Sequence, residues 1–256
     1  MSEQFLVTRL LNQILGPVIG PVAVALQHVL HITPAEHPEY FPLTSRAPFP
    51  DAFGLELCVA LGLIAFFVLV RVSLSVDKPG LAQYIAEMLH DFVGDNGDKI
   101  IGHGYERFQP FVTCIFLFVV FNNLLGLVPW IETPTANPAS TLGIALLTFL
   151  YYNYYGIKAN GPVGYLKQFA GPMWQISWLL FPIEVVSHLA RIMSLTIRLY
   201  ANMFASDLVT LVFFSLVPLG IPAIFLGLHF GVSLIQAYVF MLLAMIYLSQ
   251  AIAHEH

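Results

Sequence analysis

Between Trp174 and Leu219 the chain is apolar almost without interruption, yet the same run carries Glu184, His188, Arg191, Arg198, Asn202 and Asp207. As one helix, the 43 residues from Trp174 to Leu216 would reach roughly 65 Å, twice the hydrocarbon core of a bilayer. The segment therefore crosses twice or lies strongly tilted, and Pro182 either breaks it or only kinks it. Four other apolar runs surround it. The first covers 53–74, with Arg71 and Lys78 at its far end; the second covers 108–128, the third 141–157, and the last follows a hairpin closed by Pro218 to Pro222. Each is long enough, or nearly so, to cross a bilayer.

The intervals between these runs have their own patterns. Residues 80–100 mix Leu81, Tyr84, Ile85, Met88, Leu89 and Phe92 with Glu87, Asp91, Asp95 and Asp98 at helical spacing, which predicts an amphipathic helix along the membrane surface. The stretch IETPTANPAS around Glu132 holds one acid, no base and two prolines, and predicts a tight polar turn with Glu132 as a solvated loop acid. Residues 5–31 are apolar but broken by Gly16, Pro17, Gly20 and Pro21, so they predict a weak helix at the interface. Glu3, the central Gly-Pro pairs and the lack of an A-x-A site argue against a signal peptide. Five prolines between Thr33 and Pro50 predict an extended loop, which divides the chain into an N-terminal segment, 1–52, and a membrane domain, 53–256.

Composition agrees with that pattern. With 58% hydrophobic and 10% charged residues and a mean hydropathy of +0.78, the chain falls outside the range of soluble domains. The fold class is all-α, a polytopic integral membrane protein of about five transmembrane helices plus an amphipathic surface helix. Cys58 and Cys114 stand inside apolar runs and read as small hydrophobes rather than a disulfide or metal pair. A net charge of −5 carries no nucleic-acid signal. No phosphate-binding loop, HExxH or CxxC is present, so no cofactor, nucleotide or metal is expected, and the closing His254, Glu255 and His256 read as a solvated tail. Arg71, Lys78, Lys99, Arg107, Lys158 and Lys167 all fall on one side of a five-span arrangement. The excess of bases makes that side cytoplasmic, with the N-terminus outside and the C-terminus inside.

Arg198 is the residue that most needs a reason. A charge at bilayer depth is costly unless it is partnered or has a function, and Arg198 stands mid-run, too far from either end to snorkel easily. On a helical wheel Arg191 and Glu184 lie within roughly 40° of it, Asn202 lies about 40° to the other side, and Asp207 points nearly opposite. His229 and Gln236, seven residues apart, share one face of the final helix. Asn122 and Asn123 read equally well as polar-path residues or as satisfying backbone groups in a helix interface, and Arg191 as a partner of Glu184.

The run Ser194, Leu195, Arg198, Leu199, Tyr200, Asn202, Met203, Phe204, Ala205, Asp207 resembles the motif S-L-x-x-R-L-[FY]-x-N-M-[FY]-A-x-[ED] of the a subunit of F-type rotary ATP synthases. Gln236 and the triplet Tyr247, Leu248, Ser249 fall as in that family's last helix, and the resemblance covers roughly 53–252. It implies that the last two helices are long and tilted, and that the coupling partner is a c-ring of hydrophobic helical hairpins, alongside peripheral-stalk b subunits, the remaining synthase subunits and membrane lipid. It further implies two aqueous half-channels that do not meet. Asp207, His229 and Gln236 match positions of the outer one and Glu184 of the inner one; on the topology above, Asn122, Asn123, Asn137 and Glu132 would join the outer path, and His188 and Ser187 the inner path. Arg198 would be the essential charge between them, supported by Asn202 and Arg191. A guanidinium cannot relay a proton but can attract a carboxylate and repel a hydrated proton, which suits a seal. The chain departs from the family at Ala201 and Ser206, where glycine is usual, and at Asp207, where glutamate is common.

Two other classes compete. A haem-binding redox subunit would use His188 and His229 as axial ligands, and a secondary transporter would show two related halves with interrupted helices in corresponding positions. No such repetition is visible.

Overall fold

The structure is a computed structural model that describes residues 6–29, 51–75, 80–128, 131, 133–170, 177–216 and 221–252. Among these residues there is no strand; the chain is a succession of helices, and it is a polytopic membrane protein. α1 (Leu6–Val29) runs unbroken through Pro17 and Pro21, where a weak interfacial helix was expected. Its Thr8 packs against Gly54 so closely that a methyl group at 54 would run into the threonine side chain, and this tertiary contact supports a helix that propensity alone disfavours. α2 (Asp51–Val72) opens on Asp51 and ends near Arg71, charges that suit the two ends of its dipole.

α3 (Leu81–Ile100) is the amphipathic helix read from the pattern. It buries Val93, Gly94 and Gly97, with Gly94 and Gly97 lying against Tyr105, while Leu81, Tyr84, Met88 and Phe92 stay exposed. The Gln109 amide ties it to α4 (Gln109–Leu125) by donating to the His90 carbonyl at 2.6 Å. The interval after α4 holds the tight turn expected from its prolines and threonines, and that turn is buried. Thr133, Pro134 and Thr135 are buried, and a single 3-10 turn, Pro134–Ala136, wedges against α6 as well as α4 and α5.

α5 (Pro138–Ala170) outlasts the expected span and bends at Gly161, whose φ of 71° only glycine adopts at ease. Its distal part is fastened by Tyr165, which donates to Asn153 Oδ1 at 2.7 Å, and by Asn160, which donates to the Ala251 carbonyl at 3.1 Å. The question left open by Pro182 is answered by one continuous 40-residue helix, α6 (Ser177–Leu216), with the proline near its start. At roughly 60 Å it is twice the bilayer core and must lie tilted across it. α7 (Ile221–Ile252) returns alongside.

Of these helices, α2, α6 and α7 are each long and apolar enough to cross a membrane, and α4 is a shorter apolar helix. The core forms where α4, α5, α6 and α7 converge on Ile115, Val119, Ala145, Leu199, Met203 and Phe240. The other flank of α6 is unpartnered: Leu189, Met193, Ile197, Phe204, Leu208 and Leu211 are all exposed.

Candidate functional site

Leu195, Leu199 and Met203, spaced by four, make the stripe by which α6 enters the core. Arg198 precedes Leu199 by one residue and so sits about 100° off that stripe, half-buried at the edge of the open flank. Its Nη2 donates to Ser194 Oγ at 3.3 Å. Among the described residues no carboxylate comes within ion-pair distance of it; the pairs that form involve Glu184 and Asp207 with other partners. A buried salt bridge does not account for Arg198.

Polar groups gather at two levels of the α6–α7 seam. Nearer the 133–137 turn, His229 is fully buried. Its Nδ1 lies 3.4 Å from Asp207 Oδ1 and 2.9 Å from Ser206 Oγ, and its Nε2 lies 3.2 Å from the Asn123 carbonyl oxygen. A carbonyl only accepts, so the geometry puts a proton on Nε2. Nδ1 then accepts from Ser206 in the neutral ring or donates to Asp207 in the charged one. The Asn123 amide donates to the Ser233 carbonyl at 3.4 Å, and Thr135 donates to Asn123 Oδ1 at 2.6 Å. Gly126 makes room for this arrangement, since a Cβ there would meet Thr133 and come within 3.1 Å of His229 Nε2. One turn closer to Arg198, exposed Asn202 donates to buried Gln236 at 2.8 Å.

The second cluster lies toward the start of α6. His188 Nδ1 is 3.3 Å from Glu184 Oε1, and Arg191 Nη2 is 3.8 Å from the same oxygen. Arg191 also lies over the Tyr247 ring at 5.2 Å, while His188 packs edgewise toward Phe149 and beside Tyr152. Ser187 sits half-buried in the same turn. Along α6, Arg198 is roughly 15 Å from His188 and 14 Å from Asp207. The seam between the two clusters is filled by apolar Leu195, Leu199, Ala237 and Phe240.

Of the residues singled out from sequence, Asp207, His229 and Asn123 come together, as do Glu184, His188 and Arg191, and Gln236 meets Asn202. Asn122 turns back on its own helix, donating to the Phe118 carbonyl at 2.8 Å. Asn137 caps α5, accepting from the Ala139 N–H at 2.9 Å. Glu132, His254, Glu255 and His256 lie outside the described residues. Among the described residues no group of three or more His, Cys, Asp or Glu could hold a metal. His188 and His229 belong to separate clusters, which is not the paired geometry of a haem site. Thr135 and Ser233 were not anticipated; their only signal was position, within a turn of Asn137 and Gln236, whereas Ser206 had stood out only as a departure from the family pattern.

The fold and these clusters define a polytopic helical membrane protein with charged and polar groups held at two separate depths. The family described as ATP synthase A chain matches residues 55–249. A protein named ATP synthase subunit a from Koribacter versatilis is 52% identical over 256 residues, the whole of both chains. Another of that name from Solibacter usitatus is 45% identical over 82% of this chain and 90% of its own, and one from Bdellovibrio bacteriovorus is 43% identical over 67% and 75%. The chain belongs to the ATP synthase A chain family. That membership assigns it to the membrane sector of an ATP synthase, with the other subunits of that complex as partners and a role in ion translocation.

Proposed function

We propose that the two clusters are the inner ends of two half-channels and that Arg198 separates them. The carrying observation is a guanidinium without a carboxylate partner among the described residues, on the edge of the unpartnered flank of α6 and midway between the clusters. That flank is the surface for a ring of hydrophobic hairpins, and the missing carboxylate comes from the ring. Asp207, Ser206, His229, Asn123 and the Asn202–Gln236 pair serve the outer path. Glu184, His188 and Ser187 serve the inner path, with Arg191 holding Glu184 in place.

In this mechanism a ring carboxylate arrives protonated from the lipid, loses its proton beside Arg198 into one path, and is reloaded from the other. The guanidinium draws the ionised carboxylate by two-point hydrogen bonding and repels a hydrated proton that would leak between paths. Each charge crossing 100 mV yields about 2.3 kcal/mol, so several are needed per ATP. The chain sits in a bacterial cytoplasmic membrane with its N-terminus outside and its C-terminus inside, and peripheral-stalk b subunits hold it against the turning ring. It binds no nucleotide itself.

The test is Arg198→Ala in the assembled complex, reconstituted in vesicles. ATP synthesis should vanish and passive proton uptake under an imposed potential should rise. Synthesis near the wild-type rate would refute the mechanism; loss without added leak would remove the sealing role.

A further inference from the structure

Glu56, in the second turn of α2, takes no part in either cluster. Ser140 hydrogen-bonds its carboxyl group, but Oε1 is buried without a hydrogen-bond partner among the described residues. It faces a cavity of about 980 Å³ between α2, α4 and the first turns of α5. Asn137 and Ser140 share its wall with Glu56, and Ile64, Phe67 and Phe118 are among the apolar residues that line the remainder. The other titratable groups around it are few. Cys114 lines the wall from α4, and Arg71 lines it from α2, roughly 22 Å along the helix from Glu56. Asp51 stands at the start of α2, and His90 of α3 belongs to a smaller pocket that adjoins Phe67 and Cys114. α1 presents Thr8 to Gly54, and the wedged turn presents threonines.

That wedged turn divides the cavity from the His229 cluster. Asn137 is on the cavity wall, and Thr135, two residues earlier, bonds to Asn123, whose carbonyl meets His229 Nε2. A buried carboxyl oxygen that lacks a protein donor calls for water or a proton. We propose that Glu56 is the proton-collecting carboxylate at the mouth of the outer path, upstream of Asn123, His229 and Asp207. A proton from bulk water binds the Glu56 carboxylate and leaves it, through water along the 133–137 turn, for Nδ1 of His229, since Nε2 already carries the proton held by the Asn123 carbonyl; the carboxylate is regenerated and nothing else is consumed. This rests on the half-channel reading above.

The experiment uses the complete ATP synthase in proteoliposomes, with synthesis measured at fixed potential while pH on the proton-loading face is varied. Glu56→Gln should match wild type at the most acid pH and fall away as pH rises, moving the half-maximal point about one unit lower, so that roughly tenfold more protons are required. Glu56→Asp should follow the wild-type curve. A Glu56→Gln profile that overlays wild type, or one lowered equally at every pH, would overturn the inference. Failure of the glutamine variant to assemble while the aspartate variant assembles would assign Glu56 to packing and overturn it too. Arg198→Ala in the same preparation tells the two readings apart. If it still makes ATP, the half-channel mechanism fails; if it does not while Glu56→Gln behaves as wild type, only the role of Glu56 is lost.

Discussion

His229 Nδ1 stands 3.4 Å from Asp207 Oδ1 and 2.9 Å from the Ser206 hydroxyl, so one ring nitrogen faces a carboxylate and a donor at once. Protonation of the ring therefore changes its partner, from the hydroxyl that donates to it toward the carboxylate that accepts from it. No rearrangement of helices is needed. A shorter acid where the family commonly has glutamate, and serine where it usually has glycine, belong to this one contact.

That contact predicts a pair whose members can trade places. Asp207→His and His229→Asp should each lower ion-driven ATP synthesis by about tenfold or more, equivalent to ~1.4 kcal/mol. The exchange of both should retain more activity than either single change, because a carboxylate and an imidazole still meet across the seam. Synthesis rates in vesicles decide it: a double variant no better than the worse single shows that the two residues do not work together.

Orientation gives a second prediction. Ala139 and Lys158 are exposed positions near opposite ends of the straight part of α5, roughly 28 Å apart along its axis and so about one hydrocarbon thickness. In a background with Cys58 and Cys114 replaced, cysteine at 139 should react with an impermeant thiol reagent from outside the cell and cysteine at 158 only from inside. Labelling of both from one face would defeat the five-span topology.

Much of this was legible in the sequence because the bilayer punishes polarity so heavily. Arg198 and Asp207 announce themselves in an apolar run, and the length of that run already required a tilted helix or two crossings. The burial of the 133–137 turn was not legible, for the opposite reason. Its prolines and threonines carry the same local signal whether they face water or pack against α6, and only the tertiary fold brings α6 there. Asn122 and Asn123 make the point within one dipeptide. They are identical by composition, yet the helix turns them about 100° apart, so one bonds its own Phe118 carbonyl and the other bridges to α7. Glu56 was invisible as a candidate, since an acid near the start of an apolar span ordinarily sits in water.

The buried turn also yields the last prediction, at Gly126. Its backbone is ordinary, with φ −64° and ψ −12°, so alanine there brings no conformational strain, and replacing glycine would by itself stabilise the chain by about 0.4–1 kcal/mol. Packing reverses that sign. The added methyl would strike the buried Thr133 hydroxyl and lie 3.1 Å from both Thr133 Cβ and His229 Nε2, so a rotation of the threonine alone does not relieve it. Overpacking of this kind costs about 1–3 kcal/mol, and the contact is released by pushing the turn away from the histidine. Gly126→Ala should therefore melt earlier than wild type in detergent and lower ATP synthesis. Gly62→Ala on α2, where no heavy atom lies within 4 Å of the new methyl, should show the backbone gain alone and melt later than wild type, by about 0.4–1 kcal/mol. Adding Thr133→Ala to Gly126→Ala removes the closest clash and should recover part of both losses. A Gly126→Ala protein with wild-type melting and wild-type synthesis would mean that the turn does not hold His229 in place.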